Sequence, residues 1–157
     1  MPATIRPAGP ADLPDVAALF RVYAEGLGVD LGFQGFEAEL AALPGPYAPP
    51  QGALLIARDG LAALGCVAMR PHASGICEMK RLYVAPCARG QALGRRLADA
   101  IMAEARAAGY RRMVLDTLGS LTVAVALYRG LGFRAVPPYY DNPLPGVIYM
   151  ECDLAGG

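Results

Sequence analysis

The sequence has no excess of charge, since 14 lysines and arginines are matched by 14 aspartates and glutamates. That balance excludes a global field drawing the chain to nucleic acid or to an anionic membrane, so any anion site must be local. Histidine is nearly absent: His72 stands alone in the turn "RPHASG" and reads as a surface residue, leaving no nucleophilic triad. The four cysteines, Cys66, Cys77, Cys87 and Cys152, form no CxxC pair and no Cys/His spacing suited to zinc. They are expected to be reduced core thiols, with no metal. No apolar run approaches the roughly 20 residues of a membrane span, and the start "MPATIRPAGPADLP" holds no apolar signal core. A soluble, cytoplasmic protein is expected.

What is present is enough for one domain with a substantial core, over 157 residues. A short strand at Thr4–Arg6 leads into a helix whose inward face carries Leu13, Val16, Leu19, Phe20 and Tyr23. A shorter helical pattern, "FEAELAAL", ends at "PGPYAPPQG", read as a surface loop. Asp59-Gly60 between two apolar runs signals a hairpin. "GICEMKRLYVAP" comes next as a third strand, then a glycine- and arginine-bearing loop, then a helix from about Ala92 to Ala108 closed by Gly109. "YRRMVLDT" is a buried strand returning parallel to "EMKRLYV", "TVAVALYRGLGF" is a helix stopping at Gly132, and "VIYMECDL" is the last strand.

The loop ahead of the third helix is the first chemical signal. Amides at a helix start have no intrahelical partner and, with the aligned peptide dipoles, favour an anion such as phosphate. Gly90 and Gly94 permit close backbone approach, and Arg89, Arg95 and Arg96 add charge around the same turn. Neither GxxxxGK[ST] nor GxGxxG is present. An arginine-rich helix start that merely caps and solvates fits these residues equally well.

Order around the loop separates the two readings. Arg89-Gly90-Gln91-Ala92-Leu93-Gly94 matches [QR]xxGx[GA] at its first and last positions, between the strand "MKRLYVAP" and a helix, and "ALYRGLGF" occupies 126 to 133 farther on. In this the chain resembles the GNAT superfamily of acetyl-CoA-dependent N-acetyltransferases over nearly its whole length. The resemblance implies one α/β (α+β) domain over 1–157, with a mixed, mostly antiparallel sheet splayed at the cofactor site and about four flanking helices. It departs from the pattern at Ala92, where glycine is usual, and at Leu121, where many members carry asparagine. Alanine tolerates a helical φ, so the pyrophosphate cradle is expected to survive with a tighter approach. Ser120 is expected to replace part of the polar contact missing at Leu121.

The same resemblance assigns the remaining roles. Acetyl-CoA, without a metal, is expected against Leu82, Tyr83 and Val84, the turn Arg89 to Arg95 (including Gln91, Ala92, Leu93 and Gly94), and Ser120, with the Leu82 amide polarising the thioester carbonyl. Glu78 occupies the place of a general base, although an ion pair with Lys80 or Arg81 accounts for it equally well. Strict alternation puts Glu78, Lys80, Leu82 and Val84 on one face of the strand and Met79, Arg81 and Tyr83 on the other. Tyr128 falls where a tyrosine often protonates the departing thiolate; its other reading is a core residue on the stripe of Ala124, Leu127 and Leu131. Asp116 and Thr117 end a strand at the mouth of the cleft and stay open between substrate contact and capping.

Phe33, Gln34, Phe36 and Glu37, and Tyr139, Tyr140, Asp141 and Asn142, are expected to border a small-molecule or amino-acid-like amine, with a proline-braced loop packed on the core as the alternative for the tyrosines. The expected reaction is direct acetyl transfer to a primary amine in a ternary complex; the alternative is a non-catalytic acyl-CoA-binding regulatory module. No nucleic acid or membrane partner is expected, and a homodimer stays open.

Overall fold

The computed structural model describes residues 3–28, 31–32, 35–90 and 92–155. Strand β1 (Thr4–Pro7) is followed by helices α1 (Leu13–Leu27) and α2 (Phe36–Ala41), then by β2 (Ala53–Asp59), β3 (Ala62–Ala73) and β4 (Ile76–Val84). Helix α3 (Leu93–Ala107), β5 (Arg112–Leu118), α4 (Thr122–Gly130), β6 (Arg134–Val136) and β7 (Val147–Asp153) complete the chain. The seven strands form one sheet in the order β1-β2-β3-β4-β5-β7-β6. Every pairing is antiparallel except that of β4 with β5, where α3 carries the chain across. This is the mixed, mostly antiparallel α+β sheet with four helices that the resemblance implies. Among the described residues no helix is long and apolar enough to cross a membrane.

Alternation on the sheet creates two cores. Leu55 and Ala57 of β2 join Leu93, Leu97, Ile101 and Ala105 of α3 on one face; Leu54 and Ile56 join Val16 and Phe20 of α1 on the other. The buried stripe of α3 repeats at three and four residues, and Gly109, at φ +93°, lies just past its end. Tyr47, in the segment read as a surface loop, is fully buried in the second core with its ring edge-on to Phe20. An aromatic ring with apolar neighbours on the core side outweighs the prolines around it.

Two irregularities shape the centre. Cys66 pairs with Tyr83 and Ala68 with Lys80, so Arg81 and Leu82 together oppose Val67, and Arg81 sits at φ +62°. This is a β-bulge, and its extra residue resets the alternation. Leu82 and Val84 therefore pack on the α3 core, away from Glu78, while Arg81 and Tyr83 turn to the α1 side. The strict period-two assignment of Arg81, Leu82, Tyr83 and Val84 is corrected accordingly, since Met79 shares its face with Leu82 and Val84 and not with Arg81 and Tyr83. Second, β4 and β5 pair only through Ile76–Arg112, Cys77–Met113 and Glu78–Val114. Beyond Glu78 they diverge.

Candidate active site

The divergence opens a cavity between the two strands. Met79, Lys80, Arg81 and Leu82 form one wall and Leu115 to Leu118 the other. Leu121, Ala124 and Tyr128 close it from the α4 side, and Tyr23, Leu27, Leu31, Asn142 and Leu144 from the α1 side and the loop before β7. From Met79 onward β4 lacks a strand on its β5 side, leaving main-chain polar groups for an extended ligand.

At the end of β4 lies the start of α3. A Cβ at Gly94 would come no nearer than 3.7 Å to Leu127 and Val84, so the protein itself does not need glycine there. Unpaired helix-start amides at this turn fit a pyrophosphate. Gly90 takes φ +92°, and Ala92, at the N-cap, takes φ +55°. The expectation that Ala92 keeps an ordinary helical φ is thereby corrected: the turn requires a left-handed residue, which explains why glycine suits this position better. Leu93 is buried and packs in the α3 core. Arg89 and Arg95 are exposed at the turn, with Arg95 paired to Asp99 at 3.4 Å. Arg96 turns away and donates to the Ala3 carbonyl at 2.6 Å. Ser120 is exposed and does not line the cavity, whereas Leu121 does. Gln91, Phe33 and Gln34 lie outside the described residues.

Tyr128 is buried at the cavity wall, edge-to-face with Phe133 at 5.8 Å. It is a packed aromatic of the core that also lines the cavity. Burial raises its hydroxyl pKa well above the usual tyrosine range, keeping the proton on.

Glu78 is 1% exposed and does not line the cavity. Its Oε1 accepts from Arg70 Nε at 2.9 Å and its Oε2 from the Tyr139 hydroxyl at 2.5 Å, with Lys80 Nζ 4.0 Å away. Of the two ion-pair partners named from sequence, Lys80 is present; Arg81 instead forks onto Glu39 at 2.9 and 3.0 Å. Arg70 was missed, although a hairpin register placing it opposite Glu78 would have shown it. Burial lowers the pKa of Lys80, with Glu78 opposing. Burial also pushes the Tyr139 hydroxyl far up, reinforced by Glu78.

The loop between β6 and β7 borders the cavity through Asn142 and Leu144, while Tyr139 and Tyr140 stand behind its wall. Tyr139 packs between the rings of His72, Tyr140 and Tyr149, at 4.8, 5.4 and 5.3 Å. Tyr140 donates to Asp116 Oδ2, and Asn142 Nδ2 donates to the same oxygen at 2.8 Å. Both loop tyrosines thus bond carboxylates on the central strands. Cys66, Cys77 and Cys152 are buried free thiols, whereas Cys87 is exposed. Among the described residues no group of three or more His, Cys, Asp or Glu could hold a metal.

Residues 17–133 match the family model described as Acetyltransferase (GNAT) family. The chain is 47% identical over 148 residues to an uncharacterized N-acetyltransferase of Schizosaccharomyces pombe, covering 93% of this chain and 91% of that one. It is 33% identical to the uncharacterized N-acetyltransferase YjgM of Escherichia coli, covering 91% of this chain and 86% of that one. In structure it is similar to a GNAT-superfamily phosphinothricin acetyltransferase of Sinorhizobium meliloti solved with acetyl-CoA, at TM-score 0.71, 21% identity, and coverage of 100% and 91%. The splayed strands, the glycine-flanked helix start and these matches together place the chain in the GNAT family of acetyltransferases.

Proposed function

We infer that the chain, acting as one domain, transfers acetyl from acetyl-CoA to the primary amine of a small or amino-acid-like molecule by direct attack in a ternary complex. The observation that carries this reading is the cavity wall shared by unpaired β4, by β5 and by Tyr128, with the α3 start at its end. Amides of the α3 start and the Arg89 and Arg95 guanidiniums hold the pyrophosphate, and the free edge of β4 from Leu82 to Val84 takes the pantetheine arm.

Bound acetyl-CoA supplies an activated acyl carbon. The amine's N–C bond forms as the C–S bond breaks. Tyr128 gives its proton to the departing sulfur, and the nitrogen's surplus proton restores the phenol, so the neutral amine needs no other proton. Neither Glu78 nor Tyr139 lines the cavity, so where the acceptor arrives as ammonium its extra proton passes through water to Tyr139 while the Tyr139 proton passes to Glu78, a relay for which the 2.5 Å hydrogen bond is suited. Glu78 thus acts through Tyr139, and Arg70 holds the carboxylate in place. Direct attack leaves no acetylated enzyme.

Coenzyme A titrated calorimetrically should bind with a stoichiometry of about one per chain, and thiol release should appear with some members of a primary-amine panel. Absence of heat, or tight binding with no release for any amine, overturns the reading.

A further inference from the structure

We propose that Asp116 holds the acceptor's nitrogen and that the acceptor is a primary monoamine with an apolar body. This rests on the transferase reading above and deepens it.

Other buried or part-buried carboxylates are matched by arginine: Asp12 ahead of α1 by Arg6 and Arg58, Glu39 of α2 by Arg81, Glu78 of β4 by Arg70, Glu151 of β7 by Arg134. Asp116 differs. It lines the cavity, and among the described residues no salt bridge reaches it. Its Oδ2 takes the Tyr140 hydroxyl and the Asn142 amide, both neutral donors, and its Oδ1 accepts no hydrogen bond among the described residues. Neutral donors orient a carboxylate without cancelling its charge, and Lys80 acts on it across the cavity from beyond ion-pair distance, so the cavity keeps an anion able to bind an ammonium or a neutral amine N–H.

The support is itself held in place. Leu144 N–H donates to Asn142 Oδ1 at 3.0 Å, which fixes the amide so that Nδ2 must face Asp116. Tyr149, buried on β7 opposite Asp116 in the strand register, donates to the Tyr140 carbonyl at 2.8 Å. A wall assembled before the ligand arrives loses little entropy on binding.

The surroundings limit the group attached to the nitrogen. Tyr23, Leu27, Leu31 and Leu144 line the cavity beside Asp116 and suit hydrocarbon or aromatic groups. Lys80, also at the wall, disfavours a second positive charge on the acceptor. Polyamines are therefore disfavoured.

The test is calorimetric titration of 2-phenylethylamine, hexylamine and spermidine into protein saturated with coenzyme A. Both monoamines should bind the unaltered protein better than spermidine, and Asp116→Asn should weaken monoamine binding at least tenfold while leaving coenzyme A affinity unchanged. Asn142→Ala and Tyr140→Phe should each weaken it about threefold to tenfold, which decides the matter if Asp116→Asn fails to fold. Equal monoamine affinity in all these proteins, no monoamine binding at all, or tighter spermidine binding overturns the inference while the transferase reading stands. Failure of coenzyme A itself to bind overturns that reading instead.

Discussion

The Tyr139 hydroxyl donates to Glu78 Oε2 at 2.5 Å, across 61 residues of sequence, and links this buried carboxylate to the loop before β7. If the pair is a proton relay, removing either end should be equivalent. Glu78→Gln and Tyr139→Phe should each lower kcat/KM for an ammonium-bearing acceptor on the order of a hundredfold, and the double variant should be no worse than either. Steady-state kinetics on the three proteins checks this. Additive losses would show that the two groups act separately.

Tyr128 offers a pH prediction of definite sign. An acid works only while protonated, and burial raises this phenol above its ordinary value of about 10. Tyr128 therefore contributes no loss of kcat below about pH 10. Tyr128→Phe should lower kcat about a hundredfold with coenzyme A affinity unchanged. A descending limb near pH 8 that vanishes in Tyr128→Phe would contradict the assignment.

Much of this architecture was legible. The Asp59-Gly60 hairpin, the α3 stripe with Gly109 behind it, and the parallel return of β5 follow from local turn chemistry and from periodicity. Arg81 was not legible, because an arginine at φ +62° leaves no mark in composition, and the bulge it makes exchanges the faces of Leu82 and Val84. Ala92 was misread for the same reason, its left-handed φ being dictated by the turn and not by its own preference. The bonds of Tyr140 and Asn142 to Asp116 span 24 and 26 residues, and nothing local announces them. Long-range polar pairs in this site depend on loop placement, which short-range patterns do not encode.

Arg81 and Glu39 tie the bulge to α2. The arginine side chain is 2% exposed, forks onto Glu39, and lies 5.3 Å from the centre of the Phe36 ring. Glu39→Gln leaves a buried guanidinium with a neutral partner and should cost about 3 kcal/mol in urea denaturation at pH 7. Removing both charges, as in Arg81→Met with Glu39→Leu, should recover part of that loss. A loss under about 1 kcal/mol in Glu39→Gln would show that the pair is not what fastens α2.

Asp12 should govern part of the acid response. It accepts bonds from Arg6, Arg58 and the Gly9 amide, and the Arg6 hydrogen bond above all holds its pKa well below the usual carboxylate range. A depressed folded-state pKa stabilises above the unfolded value of about 3.9 and is lost as pH falls through the folded one. The urea midpoints of the unaltered protein and Asp12→Asn should differ by a constant amount from about pH 5 to 8 and converge below about pH 4. A gap independent of pH would assign the effect to shape instead of charge.

Gly94 separates what the fold needs from what the ligand needs. In a helix, alanine is favoured over glycine by up to about 1 kcal/mol, less near an end. A Cβ here would make ordinary van der Waals contact, at 3.7 Å, with Leu127 and Val84. Gly94→Ala should therefore raise stability by about 0.5 kcal/mol. If the space above this residue is where the pyrophosphate meets the helix amides, the same methyl group intrudes on it, and coenzyme A should bind about tenfold more weakly. Thermal denaturation and calorimetry on one variant would then move in opposite directions. Such a result cannot arise from general damage to the fold, because damage lowers both. Unchanged affinity would mean that the anion rests elsewhere on the turn, nearer Gly90.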